Sequence, residues 1–435
     1  MQFAHLFVVC LVLAAPAAGA ALSARTVFED AVRRSSAAAP HDTLGFDDAL
    51  SKIAQRHPEF RATAARVEAS RRSVDQAGAR PNPLLHADAE NVGGTYPGFD
   101  ASELSVFLSQ EFELGGKRSA RAASAESAAD AATLEADLVI LELYAAARQR
   151  YAAVIHADER LRIALANQTV VASLATAAED RVRAGATLVA DRLLANVALA
   201  RAGQEVRNAE VERLRARRSL AALWGDADDA FSDPVESTLH LPGAAPPVDS
   251  VSAWIDSSPS VSRARRAAAV LRTDLQVERS LRVPSLTAGG GVRRVEADDA
   301  NTFLFGVSLP LPLWDRRAGA IRAAEAQVRA GEFEVEVARA AGRGELLGRF
   351  DRLSGMLDRL RQSLEATIPA VQSAAQEMET AYRIGGASYV DLLEVQRLRI
   401  EMENEVNDLR LAIIDEVIEI ERLTARPIEE LMDHE

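Results

Sequence analysis

Three kinds of spacing alternate along this chain. Long segments place apolar residues at helical intervals, with Ala, Leu, Arg and Glu filling the rest; short segments switch to strict alternation; Pro, Gly and Asp gather between them. The helical spacing first runs from about Phe46 to Gly78, with Pro58 in an early turn or at a break, and Arg80-Pro-Asn-Pro83 stops it. Then the period becomes two. Leu85, Ala87 and Ala89 alternate with His86, Asp88 and Glu90. Beyond a Gly/Pro/Asn loop, Leu104, Val106 and Leu108 alternate with Ser105, Phe107 and Ser109. This predicts a hairpin over 84–112 with strands of about ten residues, apolar on one face and polar on the other. From Gly116 to about Val182 the pattern is helical again, and after a short turn a return helix runs to about Trp224.

A polar, proline-rich connector over 226–250 separates this part from a second that replays it. Helix is expected over about 251–282, then a hairpin over 285–312. Its apolar positions are Leu286, Ala288, Gly290 and Val292 on one strand and Phe303, Phe305, Val307 and Leu309 on the next. A long helix to about Ala381, a turn and a return helix to about Thr424 complete the copy. The turns carry the duplication most clearly. The same displacement separates Arg183 from Arg383, Gly185 from Gly385 and Asp191 from Asp391. In each turn Gly ends one helix in a conformation that other residues avoid, and a hydroxyl, Thr187 or Ser388, is placed to cap the next. Ser388-x-x-Asp391 fits a capping box. The expected organisation is a first repeat over 44–225 with its tip at 182–191, and a second over 251–425 with its tip at 382–391.

The lengths constrain the packing. Each long helix has about 65 residues, hence about 95–100 Å at 1.5 Å per residue, and the two shorter helices of each repeat together match it. Two short helices stacked end to end against one long helix follow from this. Strands of about ten residues with alternating faces suit a membrane-spanning β-barrel, yet four strands are too few to close one, since the smallest have about eight. Open edges in lipid leave backbone groups unpaired. The strands must therefore be pooled between chains. The expected class is mainly α with a membrane β-barrel portion, four strands and long helices per protomer.

Composition adds a compartment. Of 435 residues only 5% are aromatic, and the formal net charge is −14 with no basic block, which excludes a nucleic-acid partner. Leu6 to Ala15 reads as the apolar core of a signal peptide over 1–20, with Ala18-Gly-Ala20 as its cleavage site; a retained membrane anchor is the alternative. The single cysteine, Cys10, lies inside that segment. Residues 21–43 read as a loosely ordered arm and 426–435 as an acidic tail.

Enzyme chemistry finds no foothold. Gly289-Gly-Gly291 lacks the Lys-Ser/Thr of a phosphate loop and sits in a strand pattern, and no Cys/His zinc spacing occurs, so no cofactor or resident metal is expected. His86, Asp88 and Glu90 share one strand face, where a polar barrel lumen accounts for them without coordination. Lys117-Arg118 and Arg316-Arg317 stand where strands hand over to helices, positions suited to anchoring at a membrane boundary.

The doubled Arg-x-Gly tip with its Asp, the two hairpins and the long helices resemble the TolC-type outer-membrane efflux proteins over nearly the whole mature chain. Glu113-Leu-Gly-Gly-Lys-Arg118 and Leu309-Pro-Leu-Pro-Leu-Trp-Asp-Arg316 resemble its CzcC-like branch, the outer-membrane part of tripartite heavy-metal cation efflux systems. The resemblance implies a homotrimer with a 12-stranded barrel in outer-membrane lipid and a 12-helix tube crossing the periplasm. A periplasmic adaptor would meet the tips at Arg183, Gly185, Asp191, Arg383, Gly385 and Ser388, fed by a proton-driven inner-membrane pump of the RND type. It also aligns Tyr382, Asp391 and Glu394 with residues of the closed periplasmic aperture. Asp391 has a second reading as the partner of the Ser388 cap. The cargo stays open between metal cations and organic compounds or polypeptide, and a periplasmic adaptor or scaffold is the competing class.

Overall fold

The computed structural model describes residues 44–93, 95, 98–226, 241–245 and 251–428. The expected signal peptide and arm, and most of the connector and of the acidic tail, lie outside the described residues. The first repeat comprises α1 (Phe46–Arg56), α2 (Pro58–Ala77), β1 (Leu84–Glu90), β2 (Glu103–Phe112), α3 (Lys117–Arg183) and α4 (Val189–Ala221). The second comprises α5 (Val251–Asp256), α6 (Pro259–Ser280), β3 (Leu286–Val295), β4 (Ala300–Ser308), α7 (Ala318–Gln362), α8 (Ile368–Ile384) and α9 (Tyr389–Thr424).

Proline decides one open point of the sequence reading, with a break at Pro58, and sets two differences from it. The expected first helix is two: His57 is extended, Pro58 opens α2, and His57 Nδ1 accepts from the Glu59 amide at 3.2 Å. A residue before proline is driven out of the helical region, while proline itself is at home in a first turn. Likewise α5 and α6 part before Pro259, where Ser258 Oγ caps the Val261 amide at 3.4 Å. The second long helix contains a π turn over Ser363–Thr367. Pro369 has no amide hydrogen for the Glu365 carbonyl, and a local change of helical pitch absorbs the gap. The helical path nevertheless continues from Ala318 to Ile384, as long as the 67 residues of α3, which is about 100 Å.

All four strands form one antiparallel sheet in the order β1-β2-β3-β4, so the two hairpins are joined through β2 and β3. β1 is shorter than expected at 7 residues, ending where Asn91 turns left-handed. The register aligns the alternation across the sheet. Ala87 faces Val106, Val106 faces Val292, and Val292 faces Phe303, so one apolar face crosses all four strands. Among the described residues, the outer edges of β1 and β4 have no partner strand.

α3 packs against α2, α4, α6 and α9, which explains why no single apolar stripe marks it. Alanine is the commonest of its buried residues, as at Ala129, Ala136, Ala145, Ala152 and Ala178, and small side chains let several helices approach it. The large core residues gather in two clusters midway along the helices. In one, Leu50, Ile53, Tyr151, Leu220 and Trp224 pack together; in the other, Trp254, Phe350, Leu353, Ile413 and Ile420 do. A third, smaller cluster lies at the far end, where the two tips meet. Among the described residues, no helix is long and apolar enough to cross a membrane.

Candidate functional site

The two tips share one backbone solution. Gly185 and Gly385 lie at φ 70° and 83°, in the left-handed region. Gly185 N–H donates to the Val182 carbonyl at 3.0 Å and Ala186 N–H to Arg181 at 2.8 Å. Gly385 and Gly386 repeat these bonds to Tyr382 and Ala381 at 3.1 and 2.8 Å. This pair of bonds closes the last helical turn and satisfies carbonyls that would otherwise end unpaired.

The caps that follow are not equivalent. Ser388 Oγ accepts from the Asp391 amide at 3.1 Å and donates to Asp391 Oδ2 at 2.7 Å. The expected hydroxyl cap at the first tip does not form. Leu188 occupies the capping position there, one residue after Thr187, and offers no side-chain acceptor. Thr187 Oγ1 instead donates to the Asp191 carboxylate.

Between the tips the second repeat inserts two tyrosines into the first. Tyr382 and Tyr389 are each 1% exposed, with ring centroids 5.5 Å apart, packed among Leu174, Ala178, Ala195 and Leu392. Arg181, on the last turns of α3, lies over the Tyr382 ring at 4.7 Å and donates from Nη1 to the Tyr382 carbonyl. Neither tyrosine hydroxyl has a hydrogen-bond partner among the described residues, and both rings line a cleft of about 520 Å³ bounded by Arg181, Asp191 and Ser388. Burial, then the neighbouring Tyr382 and Asp191, push the Tyr389 hydroxyl up to about 12; burial also raises Tyr382, against the pull of Arg181. Both phenols therefore stay neutral through physiological pH.

The remaining tip residues lie at the surface. Arg183 pairs with Asp180 at 3.1 Å and Arg383 with Glu379 at 2.5 Å, each along its own helix. Asp391 and Glu394 are exposed on the first turns of α9, one turn apart. Tyr382, aligned with an aperture residue, faces inward between the repeats. Arg181 was missed by sequence reasoning, because nothing distinguishes it from the other arginines of a helix rich in them.

At the opposite end, His86, Asp88 and Glu90 are exposed on the polar face of β1, opposite Phe107, Ser105 and Glu103. Arg293, also unforeseen, reaches across this face. It bonds Glu103 at 2.7 Å and Ser105 at 2.9 Å and approaches Glu90 to 3.6 Å, so it offsets two of the acids there. The glycines of β3 also find their reason here. A Cβ on Gly289 or Gly291 would lie within 3.0 Å of atoms of Phe107, whose ring crosses both. Among the described residues, no group of three or more His, Cys, Asp or Glu side chains is placed to hold a metal ion.

The four basic residues of the sheet-to-helix joints divide. Lys117 is buried, donating from Nζ to Ser285 Oγ at 2.6 Å, and Arg317 is tied to Glu278 at 2.8 Å. These two fasten the joints internally instead of meeting a boundary, whereas Arg118 and Arg316 are exposed. Glu113, in the same motif as Lys117, is held by both guanidinium nitrogens of Arg121. That contact, ahead of the opposing effect of burial, keeps its carboxyl below the usual range.

Comparison with known proteins agrees with this arrangement. The cobalt-zinc-cadmium resistance protein CzcC of Cupriavidus metallidurans is 28% identical over 354 residues, covering 81% of this chain and 83% of that protein. The nickel-cobalt-cadmium resistance protein NccC of Alcaligenes xylosoxydans xylosoxydans is 28% identical over 292 residues, covering 65% of this chain and 64% of that protein. The outer-membrane channel OprN shares the fold with a TM-score of 0.73 at 20% identity, over 88% of this chain and 90% of its own. The family model described as outer membrane efflux protein matches residues 49–226 and 251–426, on either side of the connector. The chain belongs to the outer membrane efflux protein family, whose members are outer-membrane channels with a periplasmic helical tube.

Proposed function

We propose that three copies of this chain assemble into a passive export duct for heavy-metal cations. The observation that carries the reading is the sheet: four strands, one continuous apolar face and two free edges, joined to helices about 100 Å long. Association closes what one chain leaves open, with β4 of one copy beside β1 of the next, giving a 12-stranded barrel and a 12-helix tube. The duct performs no chemistry. A periplasmic adaptor docks at the tips around Arg183, Gly185, Asp191, Arg383, Gly385 and Ser388, and an inner-membrane proton-driven pump supplies energy and selection. Asp391 and Glu394 stand at the mouth formed there. In a trimer they make two rings of carboxylates that concentrate cations electrostatically. Cargo of the cobalt, zinc or cadmium type is supported by the names of the relatives, each a metal-resistance protein.

Two measurements test the reading. Mass determination in detergent should give three chains; a monodisperse monomer that stays soluble without detergent would refute the assembly. Deleting the gene should raise cellular zinc, cobalt or cadmium, and plasmid-borne wild type should reverse the rise. Unchanged metal content together with increased sensitivity to organic compounds would reassign the cargo and leave the duct intact.

A further inference from the structure

The most exposed large apolar side chain among the described residues belongs neither to a strand nor to a tip. Trp314 is 94% exposed and stands on the segment between β4 and α7, in the company of exposed Leu309, Leu311 and Leu313. This strap is ordered by local bonds. Leu313 N–H donates to the Leu311 carbonyl at 2.9 Å, and Asp315 Oδ1 accepts from the Arg317 amide at 2.8 Å. It belongs to none of the core clusters among the described residues. Four large apolar side chains in water are costly for a segment of this length.

Their position names what covers them. Phe303, Phe305 and Val307 lie on the apolar face of β4, all exposed, and Leu309 extends the same alternation past the strand end. The strap therefore prolongs the face that meets lipid. Its far end is fixed to the helices, since Arg317 is bonded to Glu278 on α6. Trp314 thus stands at the level where sheet gives way to tube. An indole is favoured there in membrane barrels, with its apolar body toward acyl chains and its N–H toward headgroups. Arg316, two residues further on, and Arg118, at the other sheet-to-helix joint, are exposed.

We propose that Leu309, Leu311, Leu313 and Trp314 form an interfacial anchor. It seats in the acyl–headgroup boundary of the phospholipid leaflet on the tube side of the outer membrane, with Arg316 and Arg118 reaching lipid phosphates. The anchor fixes the depth at which the duct sits. The inference rests on the family assignment that places this sheet in the outer membrane.

The chain has three tryptophans, and Trp224 and Trp254 are each 2% exposed in the mid-helix clusters, so the wild-type protein carries its own probe. It would be reconstituted into vesicles of phosphatidylcholine brominated at carbons 6,7 or 11,12, with flotation confirming insertion. The shallow label should quench emission more than the deep one, iodide in the buffer should quench little, and Trp314→Phe should remove the lipid-quenched component while still floating. Quenching by iodide and by neither lipid would place the strap in water and overturn the proposal. Protection from both quenchers would place it against a second copy of the chain and overturn it equally. Failure of the wild type to float would refute the membrane placement itself, and the anchor with it.

Discussion

Replacing Arg181 by alanine should release the second tip from the first without unfolding either repeat. The guanidinium makes two contacts with Tyr382, a charged hydrogen bond to its carbonyl and a face-on approach to its ring at 4.7 Å. Hydrogen bonds to charged groups contribute about 1.5–3 kcal/mol, and cation–π contacts about 0.5–2 kcal/mol. One side chain makes both, so they do not add in full, and Arg181 Nε is buried without a partner, which offsets part of the gain. A net of roughly 2–3 kcal/mol follows. At about 1.4 kcal/mol per tenfold, the population with parted tips should rise roughly thirty- to a hundredfold. The effect stays local, because the tip cluster shares no residue with the mid-helix cores. Amide exchange should therefore accelerate over 181–195 and 378–392 and stay unchanged around Tyr151 and Phe350, while single-channel conductance in planar bilayers rises. Arg181→Lys, which keeps the charge but not the flat stacking surface, should fall between. Unchanged exchange at the tips of the alanine variant, or acceleration along the whole helix, would refute the local staple.

Three further outcomes are expected. Gly385→Val forces a β-branched residue to φ 83°, at a strain of about 1–3 kcal/mol, and should abolish adaptor pull-down while the trimer still assembles in detergent; retained pull-down would remove the tip from the contact. Asp415, half-buried on α9, has its carboxyl pKa raised by burial and then by Glu419, against the opposing pull of His156. Its contribution to stability is full below the unfolded carboxyl range and is lost as pH rises through the raised folded value. Asp415→Asn should therefore raise Tm at pH 7 and leave it unchanged near pH 3, and an equal shift at both would deny the linkage. Arg293→Gln frees Glu90 and Glu103 on the polar sheet face and should increase cation over anion permeability in bilayers, whereas unchanged reversal potentials would place that face away from the ion path.

Features repeated along the chain could be read from sequence; features made between its halves could not. Alternation around Val106 and Phe303 identified the strands, and register needed only their pairing. Gly185 and Gly385 announced the tips, since a positive φ leaves few other choices. Pro58 and Pro369, by contrast, were compatible with a continuous helix on spacing alone. Whether a chain breaks at such a proline, as at His57, or absorbs it in a π turn, as at Ser363–Thr367, depends on packing beyond the local window. The cross-strand contacts of Arg293 and Phe107 were invisible for a related reason. Each acts on a strand from the neighbouring hairpin, and Gly289 and Gly291, which accommodate Phe107, read locally as part of a weak strand.

The same distinction explains why the duplicated tips differ. Here the duplicated backbone carries complementary side chains. The second tip supplies the rings of Tyr382 and Tyr389 where the first has Val182 and Val189, and the first supplies Arg181 where the second has Ala381. The caps divide along the same line: Ser388 holds the start of α9 through its side chain, while Leu188, the matching residue, is 73% exposed and caps nothing. The second tip is thus bonded to the first through Tyr382 at one end of its turn and capped within its own helix by Ser388 at the other. The first offers Leu188, Val189 and Leu193 outward, an apolar surface left uncovered among the described residues. The two turns share one backbone shape, and divergence at these few positions lets the second seat its rings between the tips while the first keeps apolar side chains at the surface.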